Sequence, residues 1–431
     1  MLKFLGSEFK KIYSLLSQVS LLTTAHALIG FLGFLINLLA ARELGPEKFG
    51  IFSIAYATVT YLASFGELGI GATMIRFYNK YQDDKEMQNR VLGASLLFVS
   101  FIALTFVLFS PVLSNLFVEF FGLGSALKSV FMLSIFSGSF FILWMYLQAF
   151  LQAHRQFKKL AFFLFTYSFL RCITLAIIYF KLPESIIGWL IASYTLPIFF
   201  ILFLVIFKSL RILSETFQDF GKTLRTLRDI LNYSKWLALS SIAGSGLLYL
   251  PRLILAKVSS TEEVGIFSAG VNFAMALTIL TSGVGNAIYP QVTAFNKEQI
   301  KKYLNLLKKV IIFYILLSIV AIALLGLFLW IALGEKYLRS LPVYFVVSFS
   351  LMISLALYFI SILIHTFMKP EVIAYTMICG LIAVSILSYI LGSLWQALGV
   401  GIAYGLVIIG IQIALVYKVF EIYKKGDIIY K

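Results

Sequence analysis

The segment 311-IIFYILLSIVAIALLGLFLWIAL-333 runs 23 residues without a charge, long enough to cross the ~30 Å hydrocarbon core of a bilayer as a helix. Runs of this kind recur from end to end. Bounded by charges, glycine and proline, they give twelve candidate spans at about 15–41, 49–75, 90–114, 127–151, 159–180, 185–207, 231–256, 264–290, 308–333, 341–367, 372–393 and 397–419. A closed barrel is the other way to satisfy every backbone group in lipid, but it needs ten-residue alternation of apolar and polar positions, and these segments have none. The composition agrees, with 61% hydrophobic and 13% charged residues and a mean hydropathy of +0.97. The expected fold class is an all-α polytopic membrane protein.

Lysine and arginine set the orientation, because they accumulate in short cytoplasmic loops. With twelve spans, the side carrying both termini holds 26 of them and the other side 7, while Arg171 and Arg252 fall within spans. Cytoplasmic termini are therefore expected. The net charge of +16 is then mostly topology, and no nucleic-acid partner is implied. Cys172 and Cys379 both lie inside spans and suggest neither a disulfide framework nor a metal site.

The chain also repeats itself. The stretch 41-ARELGPEKFGIFS-53 returns as 256-AKVSSTEEVGIFS-268, an offset of 215 in 431 residues. The apolar face Leu2, Leu5, Phe9, Ile12 and Leu16, interleaved with Lys3, Lys10 and Lys11, returns as Phe217, Phe220, Leu224, Leu227 and Leu231 among Lys222, Arg225 and Arg228. Each half is thus expected to open with a basic amphipathic helix lying on the cytoplasmic leaflet. In the first span His26, Gly30, Gly33 and Asn37 form one stripe, and their counterparts are Ser241, Ser245, Leu248 and Arg252. Two six-helix lobes follow, 1–210 and 216–431. Six is even, so both insert the same way up, with a cleft between them lined by the two polar stripes.

Arg42, Leu44-Gly45-Pro46, Phe49-Gly50, then Glu67, Gly69, Gly71 and Arg76-Phe77 resemble the pattern of the polysaccharide biosynthesis family of O-antigen-type flippases. That family belongs to the multidrug, oligosaccharidyl-lipid and polysaccharide exporter superfamily. The second-half stretches PRLILAKVSSTEEVGIFSAG and GVGNAIYPQVTAF are similarly typical, so the resemblance covers essentially the whole chain. It implies the superfamily fold of the multidrug exporters. It also implies movement of a polyprenyl-diphosphate-linked oligosaccharide from the inner to the outer leaflet, with no enzymatic step.

Such a headgroup needs a wet cationic path, so charge kept inside the membrane should mark it; on insertion scales that charge costs about 2.5–3.5 kcal/mol per residue. Arg171 is the deepest cation, 13 residues from Lys158 and 10 from Lys181, hence ~15–20 Å from either end. Its planar guanidinium suits bidentate contact with a diphosphate, with Tyr167, Ser168 and Thr174 expected as donors beside it; the alternative is a structural ion pair. Glu67 is the one acid well inside a span, at a similar depth. Two readings stand for it: neutralising Arg171 when the site is empty, or titrating to couple transport to a cation gradient. Arg252 either faces the cleft opposite Asn37 or snorkels to the outer boundary. Pro251, Pro197 and Pro290 are candidate bends. Arg76 and Lys235 are placed at the cytoplasmic mouth, and Asp83-Asp84 reads as solvated surface.

The expected cavity set is therefore Arg171, Arg252, Asn37, His26, Ser241 and Ser245, with no catalytic residue, metal or cofactor. Expected partners are the lipid-linked oligosaccharide, anionic lipids under the basic helices, and other polysaccharide-assembly membrane proteins. The rival on the same fold is a cation-coupled drug or metabolite exporter. Such an exporter would need acids in the cavity, and one glutamate against two arginines argues for an anionic substrate. A major-facilitator transporter is disfavoured because its glycine- and arginine-rich loop after the second span is replaced by NKYQDDKEMQNRVLG. The short outer loops leave no obvious place for an enzyme's chemistry.

Overall fold

The computed structural model describes residues 2–204, 219–292, 297–367 and 370–425, with side chains within 21–204, 219–278, 292, 298–364 and 371–424. Every element among them is helical. Leu2–Glu67 is continuous helix except at Gly45 (φ 70°, ψ 171°), which divides it into α1 (2–44) and α2 (46–67). Then follow α3 (Ile70–Lys80), α4 (Lys85–Phe121), α5 (Lys128–Ala153), α6 (Phe157–Lys181) and α7 (Ile186–Leu204). The second half runs α8 (Phe220–Val258), α9 (Thr261–Val292), α10 (Lys297–Leu333) and α11 (Ser340–Ser361). Pro370–Lys425 breaks at Trp395 and Gln396 into α12 (370–394) and α13 (397–425).

Nine described stretches are long and apolar enough to cross a membrane. Two of them, at 60 and 54 residues, would extend ~80–90 Å, far beyond one crossing, and these are the two that break at Gly45 and at Trp395–Gln396. With α9, that makes twelve crossing helices, as the hydropathy pattern predicts. The loop expected around Gly45-Pro46 is reduced to a single left-handed residue. Glycine supplies that conformation without strain, and proline follows it at the start of α2, where its missing N–H costs nothing.

The opening helices differ from expectation. No break separates the first amphipathic turns from the first span, since α1 is helical from Leu2 with no interruption before Gly45. In the second half α8 is one 39-residue rod. Its basic-side turns bury Thr223, Thr226, Leu227, Ile230 and Ser234, whereas Phe220 and Leu224 remain exposed. The buried face is the one that packs on the first half rather than the one the leaflet would select. Arg90 of α4 reaches Asp219 at 3.4 Å, and Phe77 meets the Tyr233 ring at 5.6 Å. Phe217 and the side chains of Leu2, Leu5, Phe9, Ile12 and Leu16 lie outside the described residues.

Apolar packing divides into three clusters. One joins both halves at the side opposite the termini, through Ile36, Phe49, Phe52, Phe267, Phe273, Tyr337 and Tyr344. The other two lie toward the basic side and belong mostly to one half each. The first contains Val59, Met74, Trp144 and Ile198 with Leu227 and Ile230, and the second contains Ile300, Ile362, Leu363 and Val419. The halves therefore share their largest core at the end opposite the termini, while on the basic side Leu227 and Ile230 of α8 join the first half's cluster. At the end opposite the termini Tyr337 donates to the Ala41 carbonyl at 2.8 Å, Lys257 donates to the Phe120 carbonyl, and Phe34 meets Phe273 edge-on at 5.1 Å.

Candidate functional site

A cavity of about 550 Å³ lies below this shared core, within the usual range for sites that take a drug-sized ligand. The stripe His26, Gly30, Gly33 and Asn37 of α1 forms one wall. Tyr56, Thr60 and Ser64 of α2, Trp144 and Gln148 of α5, Tyr167 and Arg171 of α6, Tyr194 of α7, Tyr249 of α8 and Asn272 of α9 complete it. Among the described residues no carboxylate lines it. A Cβ added at Gly33 would meet nothing within 4 Å, so this glycine leaves room in the cavity.

Arg171 is 3% exposed. Among the described residues it has no ion pair; its guanidinium sits 5.2 Å from the Tyr167 ring centroid, and its Nε has no hydrogen-bond partner. A ring face stabilises a cation only modestly, so most of the hydrogen-bonding capacity of a planar fork is left for a ligand. The hydroxyls expected to assist it are engaged elsewhere. Ile191–Thr195 is a π turn, with Leu196 N–H donating to the Ile191 carbonyl. Pro197 follows with no N–H, which strands the carbonyls of Ala192 and Ser193. Thr174 donates to the first and Tyr167 to the second, both at 3.2 Å. Ser168 donates to its own helix at Leu164. These side chains thus hold the π turn that delivers Tyr194 to the cavity.

Glu67 is not the partner of Arg171. Leu68 (φ 48°) and Gly69 (φ 68°) break the second crossing between α2 and α3, so the amides just beyond lose helical acceptors. The Glu67 carboxylate replaces them, accepting from Gly69 N–H at 2.9 Å and from Gly71 N–H. At this break a Cβ on Gly69 would lie 3.0 Å from the α8 backbone at Ala238.

Arg252 does not snorkel. It is 6% exposed and donates to the Leu248 carbonyl at 2.7 Å, to Ser268 Oγ at 3.3 Å and to Asn272 Oδ1 at 3.2 Å. Asn272 Nδ2 in turn donates to Asn37 Oδ1 at 3.1 Å. The two equivalent positions of the repeat, Asn37 and Arg252, are therefore joined through a third residue. Ser241 and Ser245 line neither this space nor the main cavity; Ser245 donates to the Ser241 carbonyl at 2.5 Å. Arg76 and Lys235 are exposed on the basic side, Arg76 against the Tyr233 ring and hydroxyl, and neither reaches the cavity wall. Asp84 caps α4 by accepting from Met87 N–H at 2.9 Å. Cys172 and Cys379 are free and exposed.

Several wall residues carry no signal in the sequence. Asn272 has Ala57 as its counterpart in the repeat, so internal symmetry does not mark it. Tyr56, Thr60 and Ser64 do recur at helical spacing, but a mixed polar stripe in a span has many structural uses. Tyr194 is aimed by the π turn, which Pro197 alone hints at.

The polysaccharide biosynthesis protein model matches residues 15–296. The "Putative O-antigen transporter" of Shigella flexneri is 25% identical over 330 residues, covering 71% of this chain and 72% of that protein. Among solved structures, the lipid II flippase MurJ in an inward closed conformation superposes with a TM-score of 0.69 at 16% identity, covering 94% of this chain and 90% of that one. An inward-facing multidrug resistance transporter of the MATE family superposes with a TM-score of 0.69 at 16% identity, covering 93% and 95%. The fold is thus one that this chain shares with both structures, as the motif pattern anticipates. A family match over well over half the chain, on this fold, makes the chain a membrane transporter belonging to the polysaccharide biosynthesis protein family.

Proposed function

We propose that the chain moves a polyprenyl-diphosphate-linked oligosaccharide from the inner to the outer leaflet of the cytoplasmic membrane. One observation carries the reading: the cavity presents a buried guanidinium, Arg171, with no carboxylate on its wall among the described residues. A cation kept in that setting is stabilised by an anionic ligand and would repel a cationic drug. The basic side is the cytoplasmic one. The halves 1–210 and 216–431 act as lobes closed together at the outer end and separable at the inner end, so the diphosphate arrives from the cytoplasm. His26 and Asn37 hydrogen-bond the headgroup, and the polyprenyl chain stays in lipid. Lys222, Arg225 and Arg228, which α8 carries beyond the apolar core, attract anionic lipid headgroups.

The test is translocation of a labelled polyprenyl-diphosphate oligosaccharide in proteoliposomes by wild type and Arg171→Ala, with melting temperatures alongside. Movement lost in a normally folded variant supports the reading. Movement retained returns Arg171 to a structural role. Export of a cationic drug with no movement of the lipid favours the exporter alternative.

A further inference from the structure

Arg252 faces a second space. A pocket of about 120 Å³ adjoins the main cavity and shares Asn37, Tyr56, Tyr249, Asn272 and Met275 with it, adding Ser53, Leu248 and Arg252. Arg252 lies six residues from its helix end at Val258 and Arg171 ten from Lys181, which puts Arg252 ~6 Å nearer the outer ends. Its three acceptors are all neutral, and among the described residues no carboxylate pairs with it. On the same wall Ser53 Oγ is buried with no hydrogen-bond partner among the described residues. The sequence equivalent of Ser53 is Ser268, which does accept from Arg252. The pocket thus holds a buried cation on exchangeable neutral acceptors, an unused hydroxyl, and the asparagine bridge that ties the halves together.

We propose that Arg252 is a second anion subsite, outward of Arg171, for phosphate or diphosphate oxygens, and that the anion reaches it by displacing Asn272. This rests on the reading of the main cavity as an anionic headgroup site. An ionised oxygen is a stronger acceptor for guanidinium than a carboxamide, so the exchange favours the ligand. Displaced, Asn272 no longer holds Asn37 across the interface, and arrival of the anion loosens the outer end behind which it must leave. The coupling is free energy shared between ligand and interface.

The experiment uses the full chain with Cys172→Ser, Cys379→Ser and Ser53→Cys, reading the rate at which N-ethylmaleimide labels residue 53 in detergent. The probes are farnesyl diphosphate and inorganic pyrophosphate, with binding followed separately by thermal shift in wild type and Arg171→Gln. Farnesyl diphosphate is expected to raise labelling about tenfold, within the usual range of such couplings. Asn272→Asp, whose carboxylate holds Arg252, should abolish the rise; Asn272→Ala should label fast without ligand, which keeps the test alive should the aspartate variant fold poorly. A rise with pyrophosphate alone supports the subsite as one for the free anion as well, and a rise with farnesyl diphosphate only assigns it to a lipid headgroup. Binding that depends on Arg171 with no rise in labelling overturns the second subsite and leaves the main cavity intact. No binding of either anion overturns both.

Discussion

Gly50 and Gly265, the same residue of the repeat in each half, pack against each other across the interface. A Cβ on Gly50 would lie 1.7 Å from the Thr261 carbonyl oxygen, and one on Gly265 would lie 1.9 Å from that of Pro46. Thr261 is Pro46 shifted by 215, so the contact is reciprocal, as a two-fold axis along the membrane normal requires. Small residues let helix backbones meet this closely where no solvent drives them together. The repeated GIFS motif is therefore the seam at which the halves touch.

Alanine at either glycine must push α2 and α9 apart. Gly50→Ala and Gly265→Ala are each expected to destabilise by about 1–3 kcal/mol, the usual effect of overpacking against backbone. A lower melting temperature checks this; an unchanged one would mean that the outer seam is not tightly closed.

Gly33 is the opposite case, because a side chain there enters open space. Gly33→Phe is expected to leave melting nearly unchanged while lowering translocation at least tenfold by filling the cavity. Normal transport would show that the substrate does not pass this wall.

Arg171→Met should melt no lower than wild type, since it removes a buried cation with no counter-ion among the described residues. Removing such an unpaired charge is neutral or stabilising. A large loss of stability would reveal a structural role for the guanidinium.

Tyr167→Phe leaves the Ser193 carbonyl without its donor, an effect of about 1–3 kcal/mol for a buried group. The loss should shrink in a Pro197→Ala background, where a backbone N–H returns to that helix. Equal losses in both backgrounds would argue against this origin for the bond.

Lys222, first, and Arg90 hold the Asp219 carboxylate below its ordinary pKa, at the contact between α8 and α4. A depressed folded-state pKa adds stability above the unfolded value of about 3.9, lost as pH falls through the folded value. Melting curves of wild type and Asp219→Asn should therefore differ at pH 7 and converge below about pH 4. Parallel curves down to pH 3 would exclude the linkage.

Much of this molecule is determined by the order of residues alone. Hydropathy places twelve crossings because a helix in lipid must satisfy its own backbone, and the offset of 215 locates the seam because equivalent surfaces meet on a symmetry axis. The polar stripe from His26 to Asn37 is legible for the same reason: helical spacing is local. The partners of Glu67, Tyr167 and Arg252 do not follow from helical spacing. Glu67 turns to backbone amides because a helix breaks beside it, Tyr167 to a carbonyl stranded by a proline on another helix, and Arg252 to Asn272, whose counterpart in the repeat is alanine. Those choices are set by a break in the backbone and by packing between successive helices. Packing likewise left Arg171 buried, with its Nε unpartnered among the described residues.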